Sequence, residues 1–213
     1  MITLFLTLEP LSALIAVATF LFGLVLHNVA QAYAASLAGD STPRLRGFLS
    51  TDPRQHLEPL YLLFLFIIGF AIPRQVPVQG RNIRGRGGLE ALVWLCGPLA
   101  LIVWAFVLFL ASALLARYAP TQSNAIVIGL EEAVRYSVLH AAVFLIPMPP
   151  LDGARALYAA GGQDARNLLR QMESWGPIGF LLVFIVLSYS GILGRVSGAI
   201  IGLLRLALSP FGL

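Results

Sequence analysis

Residues 11–38 read LSALIAVATFLFGLVLHNVAQAYAASLA, an apolar run broken by His27, Asn28 and Gln31. Roughly 20 apolar residues in a helix cross the hydrocarbon core of a bilayer, so this run is long enough for a membrane helix. The whole chain agrees. Of its 213 residues 58% are hydrophobic and 11% are charged, where a soluble domain carries about a quarter charged. No basic segment precedes the run, so it reads as a retained helix and not as a cleaved signal peptide.

Working outward, residues 60–72 are apolar but few. They form either a marginal span or a re-entrant segment buried in protein. Residues 89–116 make a long span containing Gly97-Pro98, where the missing proline N–H predicts a kink. Residues 125–146 follow, with Glu131, Glu132 and Arg135 near the start. They end at Pro147-Met148-Pro149-Pro150, because a residue before proline avoids the helical region. Residues 151–175 are polar and partly helical, and residues 178–193 and 195–208 read as two closing helices. The fold class is therefore an all-α polytopic membrane protein of about five to six transmembrane helices. A short re-entrant or β-hairpin segment is expected after the first helix. The chain reads as a single membrane domain over residues 1–213, multi-pass in the cell membrane.

All 14 basic residues are Arg, the net charge is +4, and the Arg residues lie mostly between apolar runs. That placement points to lipid head groups and positive-inside topology, and away from nucleic acid. Arg44, Arg46 and Arg54 share one loop; Arg74, Arg81, Arg84 and Arg86 share another. A re-entrant segment between them puts both loops on the cytoplasmic side, which is the preferred reading. The run from Arg84 to Gly88 has no strand and helix framing it and is not a phosphate loop. Cys96, alone in an apolar run, forms no internal disulfide. On the last helix Gly194, Gly198 and Gly202 are spaced by four, as are Ala30, Ala34 and Ala38 on the first. Such stripes let helices approach closely, either within the chain or with a partner subunit.

Ionisable residues inside membrane helices are expensive and need a reason. His27 lies roughly 24 Å along the first helix, with Gln31 one turn further on the same face and Asn28 beside it. By itself this group is a polar packing patch or a binding site. Asp152, directly after the proline break, is either a turn or cap residue or a carboxylate aimed back into the bundle. His140 reads as a satisfied polar contact within the bundle.

Together these stretches resemble the small bacterial and archaeal branch of the site-2 protease family, the intramembrane zinc metalloproteases. The segment from His27 to Pro43 is similar to the family's His-Glu-x-x-His-Ala with its trailing Gly-Asp-x-Thr. Gly47 to Pro59 resembles Gly-Arg-Leu-Thr-Leu-Asn-Pro-x-x-His-Ile-Asp-Pro. Pro73 to Val78 resembles Lys-Pro-Val-Pro-Val, and Gly97-Pro98 the Ala-Gly-Pro of the third span. Leu145 to Gly153 resembles Leu-Leu-Pro-Ile-Pro-Pro-Leu-Asp-Gly. The likeness covers residues 26–157, leaving the helices of residues 176–209 outside it, and implies a site-2-protease-like bundle.

The resemblance also implies which positions carry chemistry. In the family two His and an Asp bind zinc, and a Glu is the base that activates the metal-bound water. His27 and Asp152 match the first and third ligands. Gln31 stands at the second His, and its neutral amide is a poor zinc donor. Asn28 stands at the Glu, and an amide is no base near neutral pH. Leu101 and Phe144 stand where the family has Asn. No catalytic residue is therefore intact, Asn28 and Gln31 being vestigial positions, and no cofactor is expected. A zinc site remains open only if His27, Asp152 and His56 converge. The function expected is that of a catalytically inactive membrane protein, one that binds transmembrane protein partners or serves as an accessory or scaffold subunit of a larger membrane complex. The alternative is an active intramembrane zinc metalloprotease with altered ligands. A transporter or channel has little support, since no inverted repeat is visible.

Overall fold

Helix α1, Pro10–Leu37, takes up the apolar run quoted above and starts at a proline, whose missing N–H is no loss in a first turn. The structure is a computed structural model that describes residues 8–85, 87–119 and 124–209. After α1 come two single-turn helices, α2 (Thr42–Leu45) and α3 (Pro53–His56), and then α4 (Pro59–Ile68). The longer helices α5 (Gly88–Tyr118) and α6 (Asn124–Phe144) follow. The chain closes with α7 (Asp152–Ala160), α8 (Gln163–Glu173), α9 (Gly176–Tyr189) and α10 (Ile192–Leu208).

Helices α1, α5 and α6 pack on one another around Phe20, Leu24, Leu101, Ala105, Ala133 and Val138, all fully buried. Lipid tails are as apolar as these side chains, so close fit and interhelical hydrogen bonds hold such a bundle. Gly129 shows the fit: a Cβ there would lie 2.8 Å from both Ile15 Cβ and the Ser12 carbonyl oxygen. Beside it the Ser12 hydroxyl donates to the Ala125 carbonyl at 3.0 Å. Helix α10 lies against α6. Helix α7 packs on the first turns of α5, joining Ala156 and Ala159 to Ala91 and Trp94.

Among the described residues two helices, α1 and α5, are long and apolar enough to cross a membrane, or three if α8 and the following helix form one bent span. The sequence suggested five to six. The difference has a physical source in each case. Helix α6 has the length but carries Glu131, Glu132 and Arg135, and α9 has only 14 residues. Helix α5 runs unbroken through Pro98.

Helix α4 has 10 residues, roughly 15 Å, about half of the hydrocarbon thickness. It stops at Gly69, whose φ of 73° is left-handed, and residues 70–79 return as an extended strap. There is no β-strand among the described residues, so the hairpin alternative is not formed. The strap's backbone is met by other groups instead. Ala71 N–H donates to His140 Nε2 at 3.0 Å, and Arg74 N–H to the His56 carbonyl at 2.6 Å. The chain that leaves at His56 thus comes back to it at Arg74, and the two Arg-bearing loops meet at the end of α1. Arg84 N–H bonds the Ala38 carbonyl at 2.9 Å. Arg86 lies outside the described residues.

Asp40 ties these loops together. Fully buried, it accepts from Gln79 N–H at 2.6 Å, Asn82 Nδ2 at 3.0 Å and Thr42 N–H at 3.1 Å. Burial pushes its carboxyl up, and these hydrogen bonds more than offset that, leaving its pKa below the ordinary value of 3.8. Burial also holds the His56 imidazole below its ordinary 6.5. Both groups bind protons more readily in the unfolded chain, so both stabilise the fold above their unfolded pKa values and lose that contribution as pH falls. Thermal unfolding in detergent should therefore drop as pH falls below 6.5, and further below 3.8. Asp40→Ala should cost roughly 2–4 kcal/mol at neutral pH and remove the second of these losses.

Candidate functional site

Three elements converge ten residues before the end of α1, roughly 15 Å inside the bundle. They are α1 itself, the Gly97-Pro98 step of α5, and the first turn of α7. A fourth, the strap, closes the site. The sequence placed His27 and Asp152 together, and the structure brings them into contact: His27 Nε2 and Asp152 Oδ2 are 2.8 Å apart. The other ring nitrogen, Nδ1, donates to Asn28 Oδ1 at 3.0 Å. Both ring nitrogens are thus engaged.

The two amides are spent on backbone. Asn28 Nδ2 donates to the Arg74 carbonyl of the strap at 2.7 Å. Gln31 Nε2 donates to the Trp94 carbonyl of α5 at 2.9 Å. The second bond has a legible cause. In a helix the Trp94 carbonyl is the partner of the N–H four residues on, and that residue is Pro98, which has none. Gln31 fills the acceptor that the proline orphans. Gly97 makes room for the pair, since a Cβ there would sit 2.5 Å from His27 Nε2 and 2.7 Å from Gln31 Nε2.

His27, Asn28 and Gln31 are each 1–2% exposed and Asp152 is 9% exposed. The Phe144 ring lies 4.9 Å from that of His27, giving the site an apolar wall where the family pattern has an amide. The cavity left between His27, Asn28, Gln31, Arg74, Phe144 and Asp152 measures about 20 Å³, room for about one water. Leu101, the other position changed from the family's Asn, is buried in the helix core.

His56 does not join the site. Its Nε2–H donates to the Ser50 carbonyl at 2.6 Å, its ring stands edge-on to Phe48, and it is absent from the cavity wall. Among the described residues no three His, Cys, Asp or Glu side chains converge. His140 is the satisfied contact expected: Nδ1–H donates to the Tyr136 carbonyl at 2.7 Å, and Nε2 receives the strap. The sequence reading missed the Trp94 carbonyl, although Pro98 marks it by position. It also missed Arg155, whose guanidinium lies 4.6 Å over the Trp94 ring.

Comparison with known proteins places this geometry. The chain is 31% identical over 173 residues to a Bacillus subtilis protein named "Putative zinc metalloprotease YwhC", covering 79% of each. The chain belongs to the site-2 protease family. It is 26% identical to the protein named "Putative zinc metalloprotease Rip2" from Mycobacterium tuberculosis, over 87% of this chain and 73% of that one. The Mycolicibacterium smegmatis protein of the same name is 27% identical, over 85% and 71%. No family model matches the chain, and no solved structure gives a significant match.

Zinc is the metal that the site-2 protease family implies, and the residues present do not fit it. Two ligands of one tetrahedral zinc, each about 2 Å from the ion, stand roughly 3.3 Å apart. His27 and Asp152 are closer and bond each other directly. The third position offers an amide already committed to Trp94, a neutral donor that zinc disfavours.

The wiring predicts a specific coupling. Gln31→Leu should destabilise the protein by roughly 1–3 kcal/mol, the cost of a buried carbonyl without a donor. Pro98→Ala restores the helical N–H, so in that background the cost of Gln31→Leu should largely vanish. A double-mutant cycle by unfolding in detergent measures this; additive costs would refute the assignment. Gly97→Ala, which forces a methyl against His27, should cost roughly 1–3 kcal/mol.

Proposed function

We propose that this chain is a non-proteolytic member of the site-2 protease family, a multi-pass protein of the cell membrane that binds a transmembrane partner as an accessory or scaffold subunit. One observation carries the loss of proteolysis. At the positions of the base and the second ligand stand Asn28 and Gln31, and each uses its amide N–H to satisfy a backbone carbonyl. A carboxylate has no N–H for the first task, and an amide has no basicity for the family's chemistry. The two residues work as clamps on the strap and on the proline step.

The binding half of the proposal rests on α10. Gly194, Gly198 and Gly202 face open space, with nothing within 4 Å of a Cβ built on any of them. Exposed Val196, Leu203 and Leu206 lie on the same helix. In lipid, a small-residue stripe open to the outside suits close approach by another helix. The Arg-bearing loops at one end of the bundle favour a cytoplasmic position for that end under the positive-inside rule.

The names of the relatives favour a second reading, an active zinc metalloprotease with altered ligands. Metal analysis and cleavage separate the two. The purified chain should carry zinc far below one equivalent and leave a transmembrane peptide uncut. Gln31→His, which supplies an imidazole one helical turn from His27, should raise zinc toward one equivalent. Stoichiometric zinc in the unaltered protein, with cleavage abolished by His27→Ala, would sink the non-proteolytic reading.

A further inference from the structure

A second cavity, about 910 Å³, opens beside the first and shares Trp94, Leu151 and Arg155 with it. Its walls are largely apolar and include Phe70, Ile72, Leu169, Met172, Phe180 and Leu181. Four charged residues also line it: Glu90, Arg155, Arg170 and Glu173. Among the described residues none of the four forms an ion pair. The Arg155 guanidinium is held over Trp94, yet makes no side-chain hydrogen bond among the described residues, because neighbouring Asp152 is taken by His27.

We propose that this groove holds one membrane phospholipid with a zwitterionic, primary-amine headgroup. The size is that of a built ligand site, whose usual range is roughly 300–1,000 Å³ with mostly apolar walls and a few polar groups. The apolar walls suit an acyl chain, which lies along Phe70, Phe180 and Leu181. A guanidinium with unused N–H donors matches a phosphate diester in charge and shape; Arg155 receives it, and Arg170, whose Nη2 donates to Asn167 Oδ1, adds its remaining N–H groups and its charge. The two carboxylates decide the rest of the headgroup. A purely anionic lipid would bring its charge against Glu90 and Glu173. A primary ammonium neutralises them and donates hydrogen bonds, which a quaternary ammonium lacks.

The test uses the full chain, stripped of lipid in detergent. It is titrated with phosphatidylethanolamine, phosphatidylcholine and phosphatidylglycerol of identical acyl chains, and retention is read by native mass spectrometry. One phosphatidylethanolamine per chain is expected, retained in preference to the other two. Arg155→Gln should lower that retention about tenfold, the value of one charge-assisted contact. Leu181→Trp fills the groove from α9 without altering charge and should lower it as well, which keeps the test valid if Arg155→Gln misfolds. Arg195→Gln on α10 should leave it unchanged. Equal retention of the three lipids, preference for phosphatidylglycerol, or indifference to both groove variants would overturn the assignment. So would soluble phosphoethanolamine competing as strongly as the lipid, since no chain would then be read. Displacement of the lipid by a transmembrane peptide at equal stoichiometry would make the groove a peptide site and overturn it too.

Discussion

In a bilayer no water reaches an unpaired backbone group, so every N–H and C=O removed from a regular helix must be met by the protein itself. This chain removes several. Pro98 orphans the Trp94 carbonyl, and the return of the chain after α4 leaves the strap over residues 70–79 outside any regular element. Four side chains on three other elements answer. Gln31 meets Trp94 and Asn28 meets the Arg74 carbonyl. His140 receives Ala71 N–H, and Asp40 receives Gln79 N–H. The helix core supplies close packing, but these bonds hold the strap and the proline step in one position against α1.

The same bonds govern what the site can do. A protease of this family needs a free carboxylate beside a metal-bound water, and here the corresponding amide is locked to the strap. It needs three ligands around an open metal, and here the two retained ligands hold each other while the third position holds α5. Asn28 and Gln31 are therefore part of what holds the fold together. Phe144 continues the pattern, since an aromatic ring against His27 takes the place of a group that would have kept the site polar.

Much of the fold was legible in the residues. The helices of residues 10–37, 88–118 and 124–144 follow from length, hydropathy and the proline breaks. The number of spans was not legible, because an apolar run does not reveal whether its helix stands across the bundle or against it. The hairpin alternative failed because the strap's backbone meets single groups from distant parts of the chain, the His140, Asn28 and Asp40 side chains and the His56 carbonyl, and Pro73 and Pro77 each lack an N–H for a ladder. His56 was drawn toward the site by its place in a motif, yet its imidazole turns to the Ser50 carbonyl, a local contact that motif spacing does not record.

The sequence by itself determined the apolar character, the family and the amide side chains at positions 28 and 31, because those depend on which residue types occupy which positions. The opening run, with His27, Asn28 and Gln31 in its second half, is the first of the ordered stretches on which the family rests. Only the tertiary structure decided what the altered residues do. An amide is a donor as well as an acceptor, and its use depends on which backbone groups the rest of the chain leaves unpaired. That accounting closes only when α1, the Pro98 step, the strap and the first turn of α7 stand at hydrogen-bonding distance.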